Sequence, residues 1–532
     1  MKKQIAAWIL SLLFLSGLTG CSTITKVPED SSTLWVITEL TTSDSFNYQI
    51  EKAVESFEAE HEGITIQVDI LPTDESEREI YLKQLRTQIM AGDGPDVYIL
   101  PTDNVLKVDS KTKFSQKVLT SQIEIDPLFQ DVTQAMYSGV FADIGSFYDA
   151  DTDLNTEALQ QDVMDAGVIG GCRYVLPLRY NMPVLLTEPA NYDDIGITQE
   201  QIDSGITALA AYAIETKDAM MAAGLRMPDD TTLLSRLFDY EKGEMVITQQ
   251  EIADYMRLYQ QVYALAQPAA EAYIAELLEE LRVVLDEMFH HSFEDPLAAA
   301  MVELTLDSFN SVGGYGYYGY HWSLNGFPLY ADALTGALEQ AAISKVLEKD
   351  LLAQPMRRTD GSVTAEVTYY GAVGSSCGNT ELAYDFLRIF LTEDYQWDLV
   401  RPRASRVNID IFNLPQEKQV DGQIEDSWPV RTAGATQYLW DTLQYQNFYE
   451  GYIYENYNKK LKSNDLNISD EDLPILSVSI DEVRFPLCQP YEESLSYALT
   501  LLNNEDGTPT DVDIDELAGE VYQYLWWHLA EG

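Results

Sequence analysis

The sequence predicts an α/β protein of two lobes, and three observations carry that prediction. At 532 residues the chain exceeds what one hydrophobic core organises, since domains usually run to ~100–200 residues. Short strands and amphipathic helices alternate from residue 34 to residue 100, the pattern of a mostly parallel sheet with helices on its faces. A second α/β stretch begins near Ile144 and leads into a long run of helical periodicity, Thr198 to Phe289.

Ahead of the first strand, Lys2 and Lys3 precede an apolar run from Ile5 to Leu15 that only Ser11 interrupts, and Leu18, Thr19, Gly20 and Cys21 follow. That order predicts a secretory signal over residues 1–20. The run is shorter than the ~20 residues a spanning helix needs. The segment resembles a bacterial lipobox, which implies that Cys21 is acylated, becomes the mature N-terminus and holds the protein at the outer face of the cell membrane. Residues 21–33 are polar and turn-rich and read as the tether.

The formal charge of 33 − 87 = −54 repels nucleic acid and anionic surfaces, so those partners are not expected. Disorder is equally disfavoured, because 46% apolar and 11% aromatic residues are ample for packed cores. With Cys21 lipidated, Cys172, Cys377 and Cys488 remain, enough for one disulfide at most. Neither a C-x-x-C pair nor H-E-x-x-H occurs and there are five histidines, so no zinc site is expected.

Leu34 to Thr38 reads as the first strand, and Phe46 to His61 as a helix with Phe46, Ile50, Ala53, Val54 and Phe57 on its apolar face. Ile64, Ile66, Val68 and Ile70 alternate as a second strand. Glu77 to Ala91 returns to helical spacing, and Val97 to Leu100 follows Pro95 and Asp96 as a third strand. Ligands of such sheets sit at the carboxyl ends of the strands, which points to Thr38, Glu39, Thr102 and Asp103. Tyr174 to Leu178 and Val184 to Thr187 read as two further strands around Pro177 and Pro183. Ala270 to Phe289 is strongly amphipathic, Val363 to Val373 is a strand, Glu381 to Leu391 a helix, and Ile514 to Leu529 a terminal helix.

These segments, in this order, resemble the extracellular solute-binding proteins of ABC importers, in particular the maltose-binding-like, carbohydrate-associated group. Gly92 to Val97 is similar to the group's G-x-x-P-D-V/I segment. Tyr174 to Leu178 with Tyr180, Asn181 and Pro183 to Leu185 is similar to its second-lobe strand pair. Gln354, Pro355, Asp360 and Gly361 resemble its P-x-P-x-x-D-G crossover, Val373 to Leu391 the strand and helix returning to the first lobe, and Ser405 to Asn408 the x-P-V-N segment. Arg406 stands where proline is usual, Thr187, Glu188 and Pro189 replace the familiar Y-N-K, and Ala190 to Thr335 is longer than average.

The resemblance implies a type II periplasmic-binding fold with hinge crossings and an enlarged helical second lobe. Lobe 1 would comprise residues 34–137 plus 364–392, and lobe 2 residues 138–363 plus 393–532. It implies a monomer that closes on a sugar or oligosaccharide without cofactor or bond breaking and hands it to ABC permease subunits. Sugars take aromatic faces and amide, carboxylate or guanidinium groups. Positions matching the family are Trp35, Thr38, Glu39, Asp103, Asn104, Arg179, Tyr180 and Asn181, with Tyr369 and Tyr370 as a wall. Trp35 lies within a strand and is equally a core residue, and Asp103 equally caps a turn. The Gly313–Trp322 segment interleaves glycines with aromatics, and Tyr320 and Trp322 are its candidates for a stacking platform.

A second class competes. Gly374, Ser375, Ser376, Cys377 and Gly378 spell G-x-S-x-G between a strand and a helix, and His528 follows, as in a lipid-anchored serine esterase using Ser376. No H-G-G-G segment accompanies it, and Trp526, Trp527 and His528 fall within the terminal helix. A signalling or adhesion lipoprotein on the same fold is the third class.

Overall fold

The computed structural model describes residues 32–39, 44–72, 74–102, 127–225, 227–228, 230–290, 328–334, 352–392, 395, 428–429, 479–488, 494–504 and 506–530. The expected signal, the expected tether up to Ser31 with Cys21 as its expected lipidation site, Asp103, Asn104 and the Gly313–Trp322 segment lie outside them.

The chain opens with β1 (Thr33–Thr38), α1 (Asp44–Glu60), β2 (Thr65–Ile70), α2 (Glu75–Ala91) and β3 (Val97–Pro101), the expected alternation. Asp74 caps α2 by accepting the backbone N–H groups of Ser76 and Glu77, and Gly92 ends that helix in the left-handed conformation that glycine adopts without strain. Three short helices follow, α3 (Val132–Tyr137), α4 (Gly145–Ala150) and α5 (Gln161–Met164). Next comes β4 (Val175–Thr187), which the sequence divides in two and the structure runs as one strand of 13 residues. Its prolines are tolerated because the ladder is irregular beside Pro177, and because Pro183 still offers its carbonyl, to Met356 N–H at 2.9 Å.

The helical lobe holds α6 (Pro189–Ile195), α7 (Gln199–Asp203), α8 (Ile206–Thr216), α9 (Ala219–Leu225), a small hairpin of β5 (Phe238–Asp239) and β6 (Glu244–Met245), and α10 (Gln249–His290). The largely helical pattern expected from Thr198 to Phe289 is therefore interrupted by the hairpin and the turn before it. The Pro-Asp-Asp sequence at 228–230 and Gly243, with a positive φ, oppose helix there. The remaining elements are β7 (Leu329–Leu334), β8 (Leu352–Pro355), β9 (Thr364–Val373), α11 (Thr380–Leu387), β10 (Trp428–Pro429), β11 (Glu482–Arg484), α12 (Leu495–Thr500) and α13 (Ile514–Ala530).

The strands join in the order β8-β4-β9-β3-β1-β2. β1 runs parallel to β2 and β3, whereas β9 returns antiparallel between β3 and β4. β4 links two half-sheets: Val175 to Asn181 pair with β9, while Met182 to Thr187 pair with β7. Its alternation shows what each face buries. Leu176, Leu178, Tyr180, Met182, Val184 and Leu186 all face one core shared with α1, α11 and residues 144–164. On the other face Val175 joins the core of α2 and α3, and Leu185 joins that of the helical lobe with α10, α12 and α13.

The protein is thus a two-lobed α/β fold with an enlarged helical lobe. Residues 144–164 and the first half of β4 pack with β1 rather than with the helical lobe, and so do Ile480 and Val483. The boundary drawn after residue 137 differs from this because β4, read as two strands, bridges both parts.

Candidate ligand-binding cleft

Strands β1 and β3 end at one edge of the first half-sheet, where β9 and β11 begin and β4 runs on into the second. At the end of β1, Thr38 donates its hydroxyl to Ile99 O at 3.0 Å. Glu39 is 1% exposed and meets the guanidinium of Arg78, from the first turn of α2, through Nη1–Oε1 at 2.8 Å and Nη2–Oε2 at 2.9 Å. This two-pronged geometry fits a planar guanidinium to a carboxylate. Arg78 also donates to Pro72 O at 3.1 Å.

At the end of β3, Thr102 donates its backbone N–H to Thr368 O at 3.0 Å and its hydroxyl to Val367 O at 2.5 Å. Those carbonyls belong to an irregular stretch of β9. Its register against β4 slips between Val367 and Tyr369, at Thr368, and again between Tyr369 and Tyr370. Bulges of this kind re-aim side chains and recur beside binding sites. Here the Thr368 hydroxyl is buried without a hydrogen-bond partner among the described residues, and the Arg179 guanidinium lies 5.1 Å from the centre of the half-buried Tyr369 ring.

Thr38 and Glu39 lie at the end of β1, and Arg179 and Tyr369 pair beside the end of β3, so the four lie toward the same edge of the sheet. Trp35, Tyr180 and Tyr370 go into cores. The Trp35 indole N–H donates to Asp69 at 2.9 Å, and burial pushes the Tyr180 and Tyr370 phenols well above their ordinary range. Tyr370 packs edge-on against Phe141 and Phe485. Asn181 is placed in β4 opposite Glu366.

The sequence reading missed a second group of polar residues where the helical lobe meets this edge. The Glu366 carboxylate accepts from Arg484 Nε at 2.9 Å and from the Thr232 hydroxyl at 3.1 Å, and Arg484 donates onward to Thr231 O at 2.6 Å. Arg358, on the chain crossing between the lobes, pairs with Glu482, and Arg236 lies 3.6 Å from that carboxylate. Glu366 and Thr368, polar at alternate positions of an apolar strand, are the signal by which part of this group is legible; Arg78 leaves none.

The G-x-S-x-G turn lies elsewhere. It follows β9, whose last residue Val373 pairs with Val97 at the amino end of β3, away from the carboxyl edge. The Ser376 hydroxyl is exposed and reaches only Gly94 O at 3.4 Å. Burial is the main cause that pushes the Cys377 thiol up to about 12, and Asn379 caps α11 through Leu382 N–H at 3.2 Å. His528 is on α13, which packs in the helical lobe. Among the described residues no group of three His, Cys, Asp or Glu is placed to hold a metal, and no helix is long and apolar enough to cross a membrane.

Compared by sequence, the chain matches no protein-family model and no curated protein. Compared by structure, it is similar to an extracellular solute-binding protein of family 1 from Alicyclobacillus acidocaldarius, at a TM-score of 0.41 and 11% identity over 94% of this chain and 98% of that one. It is similar to a cyclic alpha-maltosyl-1,6-maltose binding protein from Arthrobacter globiformis, at a TM-score of 0.40 and 11% identity over 94% and 99%. A de novo designed cysteine esterase reaches a TM-score of 0.45 at 11% identity over 94% and 98%. With TM-scores below 0.5, the functional reading rests on this chain's own strand order and side chains.

Proposed function

We propose that this protein is an extracellular solute-binding lipoprotein that captures a sugar or oligosaccharide between its two lobes and delivers it to an ABC permease. The observation that carries the reading is the pairing of β4 and β9. One strand continues from the first half-sheet into the second, and its pairing with the returning strand sets Arg179 opposite Tyr369, next to Thr368, which supports Tyr369, Thr368 and Arg179 as proposed contacts. Tyrosine face, hydroxyl and guanidinium are groups that bind a sugar's C–H surface and its hydroxyls. Asp103, Asn104, Asn181, Tyr320 and Trp322 complete the proposed contacts, with Thr38 and Glu39 forming the floor. The distance of the Ser376 turn from this edge favours binding over hydrolysis.

Capture follows from hinge motion of lobes, stabilised by contacts that form only when both engage the ligand. Acylation of Cys21 would keep the binding lobes near the permease and raise their effective concentration there. The test is a thermal-shift screen of the purified protein over monosaccharides, oligosaccharides, polyols and peptides, followed by titration of the best ligand into Tyr369→Ala. Stabilisation by a sugar, with affinity reduced roughly tenfold or more in the variant, is expected. Stabilisation by none of the sugars, or hydrolysis of an ester lost in Ser376→Ala, would overturn the reading.

A further inference from the structure

The helical lobe sends residues 231–245 across to the first lobe, and two separate sets of bonds receive them. Next to the crossing strands, Thr231 and Thr232 bond to Arg484 and Glu366, and Thr359 N–H reaches Leu233 O at 2.9 Å. Further along, Tyr240 of the β5–β6 hairpin donates its hydroxyl to the Asp131 carboxylate. Its ring stacks on Tyr137 with centroids 5.6 Å apart and planes 14° from parallel, and meets Phe238 edge-on at 5.0 Å.

Asp131 belongs to the first lobe in every other respect. It caps α3 through Gln134 N–H at 2.9 Å, and its neighbour Gln130 accepts the N–H of Cys488. Asp131 is 9% exposed, so its carboxylate depends on protein donors, one of which comes from the opposite lobe. Phe238 packs in the helical-lobe core and Val132 and Met136 in the first, so the Tyr240 contact joins two cores.

We propose that the β5–β6 hairpin is a clasp between the lobes, fastened by the Tyr240–Asp131 hydrogen bond and the Tyr240–Tyr137 stack, and that it sets how often the ligand-free protein opens. The proposal rests on the reading of the protein as two lobes that move. The Thr231, Thr232 and Leu233 bonds lie beside the crossings and stay made. The Tyr240 contact is the one that parts when the lobes separate, because it joins side chains carried by opposite lobes away from the crossing strands. The hairpin thus acts on the opening equilibrium without touching the solute.

The experiment compares ligand-free wild type with Tyr240→Phe, which keeps both ring contacts, and Asp131→Asn, which keeps a helix cap. Hydrogen exchange is followed in peptides covering 129–139 and 236–246, and small-angle scattering reports lobe separation. Loss of one hydrogen bond to a charged group predicts roughly tenfold faster exchange in both peptides and a larger mean radius of gyration. Tyr212→Phe is the control: it removes a comparable 2.6 Å bond, to Ile195 O, within the helical lobe and leaves both readouts as in wild type. Wild-type exchange and scattering in Tyr240→Phe, or equal changes in Tyr212→Phe, would overturn the clasp. Because no solute is present, this outcome is independent of the sugar screen, and either result can fail alone.

Discussion

The buried ion pair between Arg78 and Glu39 offers the most direct test of how the carboxyl edge is built. Both side chains are 2% exposed or less, and their closest approach is 2.8 Å. At an effective dielectric near 20 and a charge separation of ~4 Å, their attraction is about 4 kcal/mol, much of it offset by the cost of removing both groups from water. Removing one partner exposes the imbalance: Arg78→Ala leaves the Glu39 carboxylate buried and uncompensated, for a loss of about 3–5 kcal/mol. A lobe of ~150–250 residues shifts by ~2–4 °C per kcal/mol, so the melting temperature should fall by roughly 6–20 °C. Urea unfolding should show a lower midpoint at unchanged m-value. Glu39→Leu with Arg78→Leu should recover at least part of the loss, since an apolar pair leaves no buried charge. A loss below about 1 kcal/mol in Arg78→Ala, the range of a solvent-exposed pair, would refute the reasoning.

Gly374→Ala should lower the melting temperature markedly, because a Cβ there would stand 2.1 Å from Pro95 O, whereas Gly378→Ala, with nothing within 4 Å, should be close to neutral. Burial raises the Asp131 carboxyl above its ordinary range against the bonds from Tyr240, Gln134 and Thr133. A raised native pKa contributes stability that is fully present below the unfolded pKa and lost as pH rises through the native one. Asp131→Asn should therefore flatten that part of the stability–pH curve, measured by urea unfolding from acid to neutral pH. Cys21→Ser should leave sugar affinity unchanged in titration and shift the protein from the membrane fraction to the medium. Ser376→Ala should also bind sugar as wild type does.

Much of the fold is legible because its first elements are local patterns. The apolar alternation of Ile66 and Val68 and the helical spacing of Ile50, Ala53 and Phe57 need no partner to be recognised. β4 is harder, since Pro177 and Pro183 read as breaks and only the neighbouring strands show why they are tolerated. At the carboxyl edge, position along a strand singles out Thr38 and Glu39 as candidates and the resemblance adds Arg179, but neither burial nor bonding follows from position. Trp35 and Tyr180, chosen for their chemistry, are filled-in core residues. Partnerships are least legible, because Arg78 lies 39 residues from Glu39 and Tyr240 lies 109 from Asp131. The hairpin carrying Tyr240 is short, and its flanking helices dominate any window long enough to test for periodicity.

The continuous β4 also constrains where the lobes can turn. A paired strand resists bending, because rotation breaks ladder hydrogen bonds on either side. Along β4 the partners change at one step: β9 pairs as far as Asn181, β10 pairs with Arg179 and Tyr180, and β7 begins at Met182. No described strand pairs with both Asn181 and Met182, so rotation at that step costs no ladder bond. The other crossings come alongside, with Val363 N–H donating to Asp481 at 2.7 Å and Arg358 paired to Glu482. The bulges of β9 and β4 lie just before this step, on the first-lobe side, where they interrupt the ladder beside Thr368 and Tyr369. For a protein that closes on a solute, as proposed, the partner change would give the place to bend and the neighbouring bulges the strand stretch that carries Tyr369 and Thr368.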